Sequence, residues 1–177
     1  MSTLKVPVGT ADHVQGDANA ECTLVEYGDY ECPHCGRAYP IVKKLQKHFG
    51  ERLRLVFRNF PLSEMHPYAE SAAESAEWAG AEGRFWEMHD RLFENQNRLG
   101  GDLYRELAQE LQLDPAKLRA ALEGNTYRAR VRADFTGGVR SGVNGTPTFF
   151  INGHRHDGPF DFDDLAEAIE AKSRSPR

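Results

Sequence analysis

The sequence predicts an α/β fold in which two β-rich segments lie on either side of a long helical block. Three observations lead to this prediction. Runs of β-forming residues at 23–27 and 53–57 enclose a stretch with helical periodicity, apolar residues at helical spacing fill the middle of the chain, and an Asn-Gly pair follows a third β-rich run at 148–151. The predicted order is therefore β-α-β, a helical block, and then β-β-α.

The first unit is the β-α-β arrangement. Between its two strands, apolar side chains recur every three or four residues until Gly50, namely Ala38, Ile41, Val42, Leu45 and Phe49. Pro33 suits the first turn of this helix because the N–H group that it lacks would have no partner there. Two strands joined through a helix are expected to pair in parallel.

The last unit begins with the strand at residues 148–151. The pair Asn152-Gly153 favours a tight two-residue turn, so a second, antiparallel strand is expected at residues 154–157. A final helix follows, with Phe162, Leu165 and Ile169 on one face. This hairpin and helix complete the predicted α/β fold.

Size and charge restrict the classes of function. The 177 residues fit one domain, here 1–177, and 40% hydrophobic residues can build a core without disulfides. A net charge of −5 without a basic run argues against nucleic acid as a partner. No apolar stretch approaches the roughly 18 residues that span a bilayer, and residues 1–20 hold no apolar signal region. We expect a cytosolic protein without a membrane partner, or a periplasmic or secreted one if the sequence is a trimmed mature form.

Two of the three cysteines form a CxxC pair, Cys32-Pro33-His34-Cys35. At a helix N-terminus, the first sulfur faces unpaired N–H groups and the positive end of the helix dipole, which stabilise a thiolate. Cys35 lies one turn further along and can resolve a mixed disulfide, while His34 adds a partial or full positive charge. Cys22 lies outside the pair and is expected to be a small buried residue at the start of a strand.

The alternative interpretation of the CxxC pair is half of a zinc site, which needs four ligands. The candidates by residue type are Cys22, His13, His154 and His156, and none of them forms a second CxxC or a CxxH. The position between a strand and a helix in a β-α-β pattern is typical of a redox pair. We therefore predict no metal.

A proline stands directly before the strand at residues 148–151. In this position Pro147 is tolerated only at an edge, at the first residue of a strand or at a bulge. On base rates alone an ordinary trans proline in a turn is the more frequent case. A cis bond after Thr146 would instead make a tight turn and leave neighbouring backbone groups free at a sheet edge.

These two motifs, more than a hundred residues apart, resemble the active site of the DsbA-like branch of the thioredoxin superfamily. Cys-Pro-His-Cys at 32–35 is the DsbA-type tetrad, and Gly-Thr-Pro-Thr at 145–148 resembles the cis-proline loop of that family. The resemblance covers residues 23–169 and implies a thioredoxin-like fold with an inserted helical subdomain at 62–135. Thr146 is a departure, because DsbA itself has an apolar residue before the cis-proline.

The resemblance implies catalytic roles for four residues. Cys32 is similar to the exposed nucleophile, Cys35 to the buried resolving thiol, and His34 to the residue that stabilises the Cys32 thiolate. Glu26, six residues before Cys32, resembles the buried acid that exchanges a proton with the second cysteine. The alternative for Glu26 is an exposed strand position, with its two neighbours facing inward.

The resemblance also implies where a substrate is held. Pro33, Thr146 and Pro147 are expected to contact substrate, whose backbone can pair there as an added strand. Two nearby segments, residues 60–62 and 66–67, either line a substrate groove or form a plain loop.

The predicted function is reversible thiol–disulfide exchange with protein substrates. It needs no metal or organic cofactor, it requires a redox-recycling partner, and we expect a monomer. The tetrad favours an oxidase, whereas a cytosolic location favours a reductase or a redox sensor. Two alternatives stay open, namely a glutathione-dependent transferase or isomerase of the same fold and a non-enzymatic metal-binding or partner-binding module.

Overall fold

The computed structural model describes residues 2–174, and this part of the chain forms a five-stranded mixed sheet with seven α-helices. The strands are β1 (His13–Gln15), β2 (Cys22–Gly28), β3 (Leu53–Asn59), β4 (Thr148–Ile151) and β5 (His154–Arg155). The helices are α1 (Pro33–Phe49), α2 (Ala69–Ala81), α3 (Phe85–Glu94), α4 (Gly101–Glu110), α5 (Pro115–Glu123), α6 (Arg128–Arg140) and α7 (Phe162–Ser173). The predicted α/β class is confirmed.

The strand order in the sheet is β1-β3-β2-β4-β5, so β2 is the central strand. It pairs in parallel with β3, as the β-α-β pattern predicts, and antiparallel with β4. Strand β5 pairs antiparallel with β4 through a turn in which Asn152 and Gly153 have φ values of 48° and 81°. Positive φ at both positions is what a two-residue turn of this hand requires, which explains the Asn-Gly pair.

Strand β1 was not predicted from the sequence. It has three residues and pairs antiparallel with β3, with Val14 opposite Val56. The N-terminal segment is tied down further by Arg58, whose guanidinium donates to both carboxylate oxygens of Asp12 at 2.8 and 2.9 Å. Strand β3 is thus covered on its outer side by residues that precede the first predicted element.

Both faces of the sheet are covered by packed apolar side chains. Helices α1 and α7 cover one face, where the buried cluster includes Leu24, Leu45 and Leu165. On the other face Tyr27 and Phe150 pack with residues near α6. Because β2 is covered on both sides, its apolar residues form a nearly continuous run instead of alternating with polar ones.

Helices α2 to α6 follow one another between β3 and β4, and α6 continues to Arg140, beyond the predicted end of the inserted block at residue 135. Their shared core includes Trp78, Met88 and Leu103, and it extends to Tyr30 in the loop that follows β2. The block therefore packs directly behind the loop that carries the cysteine pair. No helix within residues 2–174 is long and apolar enough to cross a membrane.

Candidate active site

The loop between β2 and α1 presents the two cysteines at the carboxyl end of the central strand. Cys32 immediately precedes α1, with an extended backbone (φ −66°, ψ 123°), and Pro33 occupies the first helical turn. The backbone N–H of Cys32 donates to the Asp29 carboxylate and to the Asp29 carbonyl oxygen, both at 3.2 Å. Asp29 therefore holds the turn from which α1 begins.

Both cysteines are free thiols, and both are buried. Cys35 has no exposed surface, and its Sγ accepts a hydrogen bond from the backbone N–H of Asp29 at 3.5 Å. Cys32 is only 3% exposed, so the expectation of an exposed nucleophile is wrong for this dithiol form. The reason is that its Sγ lies under the loop before β4, 3.6 Å from the carbonyl oxygen of Thr146.

The surroundings of the two thiols shift their pKa values in opposite directions. A hydrogen bond from the Cys35 side chain is the largest influence on the pKa of Cys32, which falls to about 5 although burial opposes the change. The Thr146 side chain and the backbone N–H groups of Cys35 and His34 lower this pKa further. Burial raises the pKa of Cys35 well above its usual value, and both the hydrogen bond to Cys32 and the charge of Glu26 act in the same direction. At neutral pH the pair therefore holds one thiolate, on Cys32, and one thiol.

The three predicted substrate contacts lie around Cys32. The Thr146–Pro147 peptide bond is cis, as the resemblance implies, and both residues are half-buried, whereas Pro33 is exposed. The hydroxyl of Thr146 has no hydrogen-bond partner within the described part of the chain. It is therefore available to donate to the Cys32 sulfur once that thiol ionises.

Glu26 lies inside the protein, so the alternative of an exposed strand position is wrong. It is 2% exposed, and it is paired in the sheet with Phe57 on one side and Phe149 on the other. Its Oε1 has no hydrogen-bond partner among the described residues, and burial raises its pKa to about 8. A carboxyl group in this setting is mostly protonated at pH 7 and can both give and take a proton.

The side chain of His34 forms its hydrogen bond within α1. The side chain is exposed, and its Nδ1 accepts a hydrogen bond from the Arg37 guanidinium at 2.7 Å. The backbone N–H of His34 is the part of the residue that lowers the pKa of Cys32. That the ring of His34 stabilises the Cys32 thiolate stays a prediction.

The sequence analysis missed three residues that contact the cysteine loop. Asp29 is 1% exposed, and its Oδ2 accepts a hydrogen bond from Nδ1 of His66 at 2.8 Å. The side-chain amide of Gln96 donates to the carbonyl oxygens of Tyr30 and Cys32, both at 2.9 Å. The sequence analysis placed His66 only in a segment near the site, which was either part of a substrate groove or a plain loop. No sequence motif pointed to Gln96.

Cys22 lies apart from this site, buried at the start of β2 as predicted. Burial raises the pKa of its thiol to about 11, which makes it unreactive at neutral pH. Within residues 2–174, no group of three or more His, Cys, Asp or Glu side chains is arranged so that it could hold a metal ion.

Comparisons with known proteins agree with this geometry. A family model described as Thioredoxin matches residues 9–171. The oxidised crystal structure of BdbD from Bacillus subtilis superposes with a TM-score of 0.87 at 26% identity, covering 98% of this chain and 99% of that one. A thioredoxin-like oxidoreductase from Silicibacter pomeroyi superposes with a TM-score of 0.83 at 25% identity, covering 95% of each chain. The thioredoxin-like fold and the predicted resemblance are confirmed.

Curated relatives of higher identity are much longer proteins. A Na⁺/H⁺ antiporter, NhaA 1 of Salinispora arenicola, is 45% identical over 94% of this chain, which corresponds to 26% of that protein. The chain therefore spans about a quarter of the length of the curated relatives that it matches. None of these comparisons supports the cytosolic location expected from the sequence.

Proposed function

We propose, from the premise that the chain belongs to the thioredoxin family, that it is a thiol–disulfide oxidoreductase that exchanges a Cys32–Cys35 dithiol for a disulfide with protein substrates. The observation that carries this proposal is that the pKa values of two neighbouring thiols are shifted in opposite directions. The pKa of Cys32 is lowered to about 5, while that of Cys35 is raised well above its usual value. Exchange needs one thiolate that attacks and one thiol that is held back until the mixed disulfide has formed.

The reaction begins at Cys32. Its thiolate attacks one sulfur of a substrate disulfide, a bond forms between the two sulfurs, and the other substrate sulfur leaves with the electron pair and takes a proton from solvent. Thr146 and Pro147 border the attacking sulfur of Cys32, so the substrate chain meets the loop before β4 at this step.

Cys35 completes the reaction. It must lose a proton before it can attack the Cys32 sulfur, and the ionised form of Glu26 is the nearby group suited to take it because the pKa of Glu26 is about 8. The attack forms the Cys32–Cys35 disulfide and releases the second substrate sulfur as a thiolate. Two electrons pass from the protein to the substrate, and the reverse sequence oxidises a substrate dithiol.

The low pKa of Cys32 bears on the direction of exchange. A stabilised thiolate favours the reduced protein, which makes its disulfide an oxidant of substrates. We therefore propose oxidation of protein thiols as the physiological direction, with a separate redox partner that reoxidises the pair. A reduction potential above about −150 mV supports this direction, whereas a value near about −270 mV supports a reductant.

Cysteine variants test the mechanism. Cys32→Ser should abolish oxidation of a reduced model protein, and Cys35→Ser should accumulate a covalent mixed disulfide with it, detected by non-reducing electrophoresis. Cys22→Ala is the matched control, because this buried thiol lies outside the site, and it should exchange like the unaltered protein. Retained exchange in Cys32→Ser would refute the proposal.

The antiporter relatives favour a second, compatible proposal about the partner. We infer that this domain works beside a membrane transporter and either senses or sets the redox state of its cysteines. The reason is that the region matched by this chain makes up about a quarter of relatives that are named Na⁺/H⁺ antiporters. The Cys35→Ser variant, expressed in its native host, should then trap such a transporter as a disulfide-linked adduct that Cys32→Ser fails to form. Adducts with secreted or periplasmic proteins alone would contradict this second proposal.

A further inference from the structure

The carboxylate of Asp29 holds two parts of the active site at once. Its Oδ1 accepts from the backbone N–H groups of Glu31 and Cys32, at 2.8 and 3.2 Å. Its Oδ2 accepts from the backbone N–H of Leu62 at 2.9 Å and from Nδ1 of His66 at 2.8 Å. A buried carboxylate with four hydrogen bonds has little freedom to rotate, so it sets the position of the imidazole relative to the cysteine turn.

The surroundings of His66 favour the charged form of its ring. Burial by itself lowers the pKa of His66, but the hydrogen bond and charge of Asp29, together with the charges of Cys32 and Glu31, raise it above the usual value. The Nε2 atom makes no hydrogen bond to any residue in the described part of the chain, and the side chain keeps 16% exposure. The ring can therefore exchange its proton with solvent.

We propose that His66, held by Asp29, is a positioning residue that supplies positive charge near the Cys32 thiolate. This inference rests on the proposed exchange function. The charge of His66 acts in addition to the backbone N–H of His34, which lowers the pKa of Cys32.

The charge acts on the step in which Cys32 leaves. When a substrate thiolate attacks its own mixed-disulfide sulfur, the bond to Cys32 breaks and the electron pair returns to Cys32 Sγ, where the His66 imidazolium stabilises it. The groups that bear on this pair are Asp29 and Glu31 on the same loop and Cys35 behind the sulfur. Since Cys32 ionises at about 5 and the pKa of His66 is raised above its usual value, thiolate and imidazolium coexist at mildly acidic pH.

Titration of Cys32 by the ultraviolet absorbance of its thiolate tests the proposal. His66→Gln should raise the pKa of Cys32 by about one unit, since a nearby opposite charge shifts a pKa by roughly this amount. It should also make the reduction potential more negative by about 30 mV, the equivalent of a tenfold change for two electrons. The control His154→Gln, on β5, should leave both nearly unchanged. An unchanged Cys32 pKa in a folded His66→Gln protein would overturn the proposal.

A second measurement uses the unaltered protein and does not depend on a variant that folds. The pKa of His66, followed by NMR, should be higher in the dithiol form than in the disulfide form, because oxidation removes the thiolate that favours the imidazolium. Equal His66 pKa values in the two forms would refute the role of His66 and leave the exchange function intact. If Cys32 and Cys35 did not interconvert reversibly between dithiol and disulfide, the exchange function itself would be refuted.

Discussion

Replacement of Glu26 by Gln tests whether the buried carboxyl group is protonated in the folded protein. Glu26 is 2% exposed, its Oε1 lacks a hydrogen-bond partner in the described chain, and burial raises its pKa from 4.5 to about 8. The folded protein thus keeps a neutral carboxyl group at pH 7, whereas the unfolded chain ionises the same group above about pH 4.5. Glutamine has nearly the same shape and does not ionise.

The sign and size of the effect follow from these two pKa values. Because the folded value is the higher one, the stability contributed by the protonated group is fully present below about pH 4.5 and is lost as the pH rises to about 8. Each pKa unit corresponds to about 1.4 kcal/mol, so the loss is about 3 kcal/mol at pH 7 and about 5 kcal/mol above pH 8. The Glu26→Gln variant does not lose this stability.

Urea unfolding of the reduced proteins at about pH 5, 7 and 8.5 measures the difference. The free energy of unfolding of Glu26→Gln relative to the unaltered protein should rise steadily over this range, on top of any constant offset from the amide. Glu64→Gln, at an exposed loop position, is the control and should show no such trend. A difference that stays constant from pH 5 to 8.5 would show that the carboxyl group ionises alike in both states, which would end its proposed role as proton acceptor.

Three further substitutions test other contacts. Thr146→Val should raise the pKa of Cys32 by about one unit, since a hydrogen bond to a charged group contributes roughly 1.5 kcal/mol; an unchanged thiolate titration would contradict this. Asp12→Ala should lower the free energy of unfolding by about 3 kcal/mol, because it leaves the buried guanidinium of Arg58 without its carboxylate, and a loss below about 1 kcal/mol in urea would speak against it. Gly138→Ala should cost roughly 1–3 kcal/mol, since the new Cβ would lie 2.8 Å from Phe60, and an unaltered thermal midpoint would refute the close packing.

The predictable part of the fold is the part whose signals are local in the chain. Strands β2 and β3 and helix α1 were found within a few residues of their ends. The strands are local runs of β-forming residues, and the apolar residues of the helix recur at one period. The turn at Asn152 and Gly153 was found because that pair suits positive φ. Strand β1 was missed, since three residues that are stable only through pairing with β3 show no pattern of their own.

The active-site residues that belong to a sequence motif could be predicted. Those that the fold brings together from distant parts of the chain could not. The cysteine pair and the proline loop could be placed by their motifs. The contact between His66 and Asp29 joins residues 37 positions apart, and Gln96 reaches Cys32 across 64 positions, with no shared motif. The burial of Cys32 was missed for the same reason, because it depends on a loop more than a hundred residues away.

Glu26 and Asp29 show why residue type alone does not assign roles at this site. The two acids lie three positions apart and are 2% and 1% exposed, so composition and burial do not distinguish them. Asp29 accepts four hydrogen bonds, and it can hold the cysteine turn and His66 only while it remains an acceptor. Glu26 has an unpartnered oxygen and a pKa of about 8, so it can gain or lose a proton without breaking such contacts. A variant at Asp29 should therefore disturb the arrangement of the site, whereas a variant at Glu26 should slow the deprotonation of Cys35 in an otherwise intact site.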